Sequence, residues 1–146
     1  MTTIQAAADP FDLRRFVAVQ SEFYAEVLAE LEAGQKTSHW MWFVFPQLKG
    51  LGRSVMAQLY AISSLEEARA YLAHPVLGAR LRECTALVNA VAGRSIADIF
   101  GYPDCLKFQS SMTLFARATG ENQVFKAALK KYFDGKEDGG TVKVVG

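Results

Sequence analysis

From Leu13 to Leu31 apolar side chains return every third or fourth position, at Leu13, Phe16, Val17, Phe23, Tyr24, Val27, Leu28 and Leu31. Glu22, Glu26, Glu30 and Glu32 take the other directions around the axis, so the spacing predicts a long amphipathic helix. Asp9 supplies an N-cap, Pro10 a first helical position and Gly34 a left-handed C-cap. Arg14 and Arg15, near the start, read as solvated surface cations. A second amphipathic helix is predicted from Arg53, turning Val55, Met56, Leu59, Tyr60 and Ile62 inward. Ser64 with Glu67 makes a capping box for a third, short helix that His74-Pro75 interrupts. Pro75 then opens a helix presenting Val76, Leu77, Leu81, Cys84, Leu87, Val88 and Val91, closed by Gly93, which leaves His74 as a junction residue.

Ser95 and Asp98 form another capping box around a brief turn, stopped by Gly101 and Pro103. Asp104 is expected to cap the next helix, with Cys105, Phe108, Met112, Phe115 and Ala116 inward and Lys107, Ser111 and Arg117 on other faces. The last helix begins near Asn122 and buries Val124, Phe125, Ala128, Leu129, Tyr132 and Phe133. It sets Lys126, Lys130 and Lys131 toward its C-terminal end, where the helix dipole favours cations. Residues 1–8 read as a loose lead-in and 135–146 as a glycine-rich tail.

The stretch TSHWMWFVFPQLKGLGRS, residues 37–54, holds both tryptophans and an unbroken apolar run. Periodicity cannot separate helix from strand in so short a run, but no second strand of comparable quality stands nearby to pair with it. A short buried helix capped by Ser38 is therefore predicted, with Trp40 and Trp42 mostly buried and a glycine loop following Pro46. Every strong signal has the helical period, which predicts an all-α, single compact domain of six or seven helices with at most a trace of strand.

A chain of 146 residues that is 51% hydrophobic and 21% charged fits one packed domain. Sixteen basic against 15 acidic side chains give no global field toward nucleic acid or anionic membrane. No apolar run is long enough to span a bilayer, and residues 1–10 lack a secretory pattern, so the expected compartment is the cytoplasm. Cys84 and Cys105 have no metal or redox spacing and are expected to be buried thiols; no cofactor or metal is implied.

Two clusters carry candidate chemistry. In Lys49-Gly50-Leu51-Gly52-Arg53-Ser54, backbone N–H groups and two cations can converge on an anion such as phosphate. The second runs from Asp98 through Gly101, Tyr102, Pro103 and Asp104 to Lys107 and Ser111; its carboxylates suit acid–base work, although helix capping alone accounts for both. His39 suits proton transfer or stacking, but a lone histidine beside aromatics is more often a hydrogen-bonded core member. If the two glycine turns adjoin across a cleft floored by the HWMWF segment, Lys49 and Arg53 would hold an anionic group. His39 and Gln47 would bond the uncharged part, Trp40 or Trp42 would stack, and Asp104 would be the carboxylate for any proton transfer. This predicts a protein that binds a small anionic ligand of nucleotide type; the alternative is a non-catalytic module that binds a protein through an aromatic surface.

With SHWMWFVFPQLKGLG, IFGYPDCLKFQSSMTLF and YFDGKEDGGT in view, the chain resembles the bacterial domain-of-unknown-function 1810 family over about residues 11–141. The matching positions are His39, Trp40, Trp42, Pro46, Gln47, Gly50, Gly52, Gly101, Asp104, Lys107, Phe108, Ser110, Ser111, Asp138 and Thr141. The resemblance implies a mainly α-helical single domain and no established activity. After Asp138 the sequence GGTVKVVG departs from the threonine-leucine helical end typical of that family.

Overall fold

The structure, a computed structural model, describes residues 8–146, so most of the lead-in at 1–8 lies outside the described residues. The described residues form α1 (Arg14–Ala33), α2 (Met41–Val44), α3 (Val55–Leu59), α4 (Leu65–Ala73), α5 (Leu77–Ala90), α6 (Ile96–Phe100), α7 (Asp104–Ala118), α8 (Gln123–Phe133) and α9 (Gly139–Val145). They make one all-α domain; six of these helices have seven residues or more, and the only β-type pairing is a single bridge. None is long and apolar enough to cross a membrane.

Helix α1 follows the predicted periodicity and ends at Gly34 with φ 74°. Its start differs. The Asp9 carboxylate caps from further upstream, accepting from the N–H groups of Leu13 at 2.8 Å and Arg14 at 3.1 Å, so Pro10 lies in the preceding turn. Arg15 is not a solvated cation: it donates to the carbonyls of Phe11, Asp12, Leu59 and Ala61 and pairs with Glu67 at 3.1 Å. A guanidinium has five N–H donors in a fixed fork, and here they gather backbone acceptors from the adjoining turn and from one distant segment.

Burial explains the next departures. Helix α3 is barely more than one turn and turns outward, leaving Val55 81% and Leu59 53% exposed. Ile62 is fully buried outside the helix, where the Lys49 N–H donates to its carbonyl and its own N–H donates to Gln47. This short parallel bridge satisfies main-chain groups that burial would otherwise strand. Ser64 caps α4, but Glu67 reaches back to the N–H and hydroxyl of Ser63, beside Arg15, so only half of the predicted box forms. His74 is a junction residue as expected, and its Nδ1 accepts from Val76 and Leu77; Pro75 precedes α5 instead of beginning it. Helix α5 stops at Ala90, with Val91 already extended. The Ser95–Asp98 box is complete.

Helix α7 is the centre of the core and is buried at every position from Ser110 to Ala116, packed by α4, α6, α8 and α9. Ser111, placed by periodicity on an outer face, is therefore fully buried. Asp104 is the first residue of α7 and makes no side-chain cap; its carboxylate pairs with lysines. The predicted tail is also ordered as α9. Asp138 caps it by accepting the Thr141 N–H at 2.9 Å and hydroxyl at 2.7 Å, and Thr141 is fully buried. Weak helix formers are held here by a cap and by contact with α7, which outweigh propensity.

The central stretch forms the short helix α2 predicted for it, and Trp40 is 1% exposed, whereas Trp42 is half-buried. Ser38 does not cap α2. It belongs to a turn collected by Glu30, whose carboxylate accepts the N–H groups of Thr37 and Ser38, the Ser38 hydroxyl and the Trp40 indole N–H at 2.6–3.0 Å. Burial pushes the Glu30 pKa up, but these four donors outweigh it and hold the group down at about 2. Because the folded pKa lies below the ordinary 4.5, the stabilisation is complete above that pH and is lost as pH falls toward 2. We expect acid titration of the wild type across this window to cost roughly 2 kcal/mol more than in Glu30→Gln, as measured by urea unfolding.

Candidate functional site

The loop after α2 is held at three points. Pro46 and Leu48 are buried, the bridge to Ile62 fixes the main chain of Gln47 and Lys49, and Gly52 packs directly on α3. A Cβ at Gly52 would lie 2.5 Å from the Ala57 Cβ and 3.6 Å from the Gln47 side-chain oxygen, so this close approach requires glycine. Opposite stands the turn from α6 into α7, where Gly101 takes φ 76° and accepts the Cys105 N–H.

The two turns adjoin. Between them lies a hollow of about 300 Å³ lined by Gln47, Leu51, Gly52, Pro103, Lys107 and, from the start of α9, Asp138. Gln47, Gly52 and Lys107 also line a smaller, more enclosed hole of about 10 Å³ beside it, completed by Trp42, Phe45 and Tyr60. A hole of that size holds about one oxygen-sized atom. The Nε1–H of Trp42 is buried without a hydrogen-bond partner among the described residues.

Charge reaches the hollow through one carboxylate. Asp104 pairs with Lys36 at 2.9 Å and with Lys107 at 3.4 Å; Lys36 is 7% exposed and Lys107 26%. The Lys36 ammonium lies 5.3 Å from the Trp40 ring and the Lys107 ammonium 5.9 Å from the Trp42 ring. Lys36 and Lys107 share the Asp104 carboxylate, and a second carboxylate, Asp138, also lines the hollow, so Lys107 is the cation that borders it, beside the Trp42 ring. With both oxygens engaged by lysines, Asp104 positions Lys107 and is poorly placed to move a proton.

The site expected from the sequence is therefore rearranged. Trp42, Gln47 and Lys107 come together, with Asp104 behind Lys107. Trp40 is a core residue whose ring is inaccessible to a ligand, and His39 is exposed and lines none of these spaces. Lys49 borders a separate depression with Arg15 and Gln58, and Arg53 is exposed outside the hollow. The bridge explains this: extended backbone alternates its side chains, so burying Leu48 turns Lys49 outward. Ser111 is near in sequence but sealed in the core, its hydroxyl also unpartnered among the described residues. Lys36 and Asp138 were not proposed as site residues. No local pattern marks Lys36, and Asp138 lies more than 80 residues from the loop it faces.

Other features fit less well. A larger groove of about 740 Å³ runs along α8, but its Arg117 is clamped by Glu137 in two bonds of 2.8 Å. Both cysteines are free and buried, as expected, and burial pushes the Cys84 thiol up to about 12. Among the described residues no group of His, Cys, Asp and Glu is arranged to hold a metal.

A family model described as "Protein of unknown function (DUF1810)" matches residues 10–145. The crystal structure of a conserved hypothetical protein from Mycobacterium tuberculosis superposes with a TM-score of 0.93 at 64% identity, covering 94% of this chain and 98% of that one. No curated protein matches significantly.

Two outcomes follow from this geometry. Gly52→Ala should lose about 1–3 kcal/mol in chemical unfolding, because its new methyl must displace Ala57. Neither thiol should react with a thiol reagent in the folded protein at neutral pH, while both should react in urea.

Proposed function

The chain belongs to the DUF1810 family of proteins of unknown function, and from that premise we propose that it binds a small anionic ligand of nucleotide type in the cleft between the glycine loop and the first turn of α7. The observation that carries this reading is the buried, unpartnered Trp42 indole N–H. An orphaned buried donor costs stability, and a ligand oxygen in the adjoining hole would satisfy it. Lys107 supplies the charge, Gln47 the adaptable amide, and Leu51, Pro103 and Leu106 apolar walls of the kind that accept a planar base. The Trp42 ring faces Lys107, so it contributes through its N–H more than by stacking. The cytoplasm is the proposed compartment, where free thiols such as Cys84 and Cys105 stay reduced.

A second reading, a protein-binding module without catalysis, draws on Tyr102 and Leu106, which are 80% and 46% exposed near the same hollow. A partner docking there would bury them.

A thermal-shift screen against nucleotides and phosphorylated metabolites tests the first reading. A ligand at a hundred times its Kd should stabilise the fold by about 2.7 kcal/mol. Lys107→Met should remove that shift, and Arg53→Ala should leave it intact. If Arg53→Ala alone removed it, the site would have to be redrawn around the outer face of the glycine loop.

A further inference from the structure

The polar groups around the hollow differ in what they leave unused, and the difference has a direction. At the inner end the Trp42 Nε1–H has no partner, and the Lys107 ammonium has three N–H groups with only Asp104 as an ion-pair partner. The Gln47 amide makes no side-chain hydrogen bond among the described residues and lies between this end and Gly52. Apart from the Gln47 amide oxygen, the unused valence here is of donors.

At the outer end the position is reversed. Asp138 accepts the Thr141 N–H and hydroxyl, both through Oδ2, and its own N–H donates to the Thr113 hydroxyl. Its Oδ1 has no hydrogen bond or ion pair among the described residues, and the residue lines the hollow. Nearby polar side chains are committed: the Ser110 hydroxyl donates to the Leu106 carbonyl and the Gln109 amide to the Lys136 carbonyl. A carboxylate oxygen accepts hydrogen bonds and offers none while ionised. The same hollow has apolar lining from Leu51, Pro103 and Leu106.

We infer that this cleft selects an amino-bearing nucleotide, with a phosphate oxygen at Trp42 and Lys107 and the exocyclic amino group of the base donating to Asp138. The inference rests on the anion-binding reading above and adds the identity of the group at the far end. A base that lacks the amine leaves the free Asp138 oxygen unpaired and is disfavoured. Asp138 is then a specificity residue as well as the cap of α9, one oxygen serving each role.

Adenosine monophosphate and purine riboside monophosphate differ only in the exocyclic amine, which the second lacks, so isothermal titration with this pair reads the inference directly. The wild type should bind the adenosine nucleotide about tenfold more tightly, the effect of one charge-assisted hydrogen bond. Asp138→Asn keeps an N-cap residue, its one oxygen capping α9 and its NH2 group taking the place of the free carboxylate oxygen, so the preference for the amine should be lost while the melting temperature changes little. Lys107→Met should weaken both nucleotides by the same factor and leave their ratio intact. Equal binding of the two by the wild type, or a preference that survives in Asp138→Asn, overturns the inference and leaves the anion site standing. Failure of both nucleotides to bind overturns it together with the nucleotide reading. If Lys107→Met changes neither affinity while the Asp138-dependent preference holds, the amine contact is supported and the role given to Lys107 is wrong.

Discussion

The Glu30 carboxylate is the contact on which the rest of the aromatic segment depends. From one turn before the end of α1 it receives four donors from Thr37, Ser38 and Trp40, and so sets where the chain re-enters the core. Backbone N–H groups at a tight turn beside a buried indole would otherwise be poorly solvated, and an ionised acceptor is the strongest partner available to them. With Trp40 fixed, its ring meets Phe45 and Phe100, and Phe45 and Phe100 each meet Phe108 on α7 at 5.0 Å. Gln20 adds a second anchor from α1, its amide donating to the Phe43 carbonyl and the Tyr71 hydroxyl. One polar face of α1 thus holds a stretch whose other contacts are almost all apolar.

The cleft is a by-product of the same packing. Helix α7 is the core from Ser110 onward, while its first turn, at Asp104 to Lys107, reaches the edge of the domain. There Asp104 offsets the cost of placing Lys36 in a nearly buried position and holds Lys107 over Trp42. Burying an ammonium is unfavourable without such a partner. The glycine loop closes the other side because a two-bond bridge pins it and Gly52 admits α3, and α9 supplies the outer rim. Three segments far apart in sequence thereby present unsatisfied polar atoms to one space.

Much of the fold was legible in the sequence. Helical periodicity located α1, α4, α5, α7 and α8, and the Gly34 and Ser95–Asp98 signals marked their ends correctly, because caps and amphipathic faces are local properties that residues within a turn or two determine. The HWMWF run was read as a short helix because no pairing strand accompanied it, and that reasoning also held. The adjacency of the glycine loop and the Gly101 turn was expected as well, with Gln47 and one of the two tryptophans beside it. Lys49 and Arg53 were assigned to the site from proximity in sequence alone, which does not fix the direction of a side chain.

What the sequence by itself determined was therefore the set of helices, their apolar faces and the presence of one helical core. Tertiary structure decided how the polar groups are used. It turned Arg15 from a surface cation into a clamp on four carbonyls, drew Glu30 and Glu67 into distant turns, and moved Asp104 from a cap to a pair of lysines. It also ordered 139–145 as a helix although glycine and β-branched residues disfavour one. The physical reason is the same in each case. Apolar burial depends on spacing that the chain carries within itself, whereas a buried charge or hydrogen-bonding group must find a partner, and partners such as Ala61 for Arg15, Trp40 for Glu30 and Lys36 for Asp104 lie 10 to 68 positions away and become neighbours only after folding.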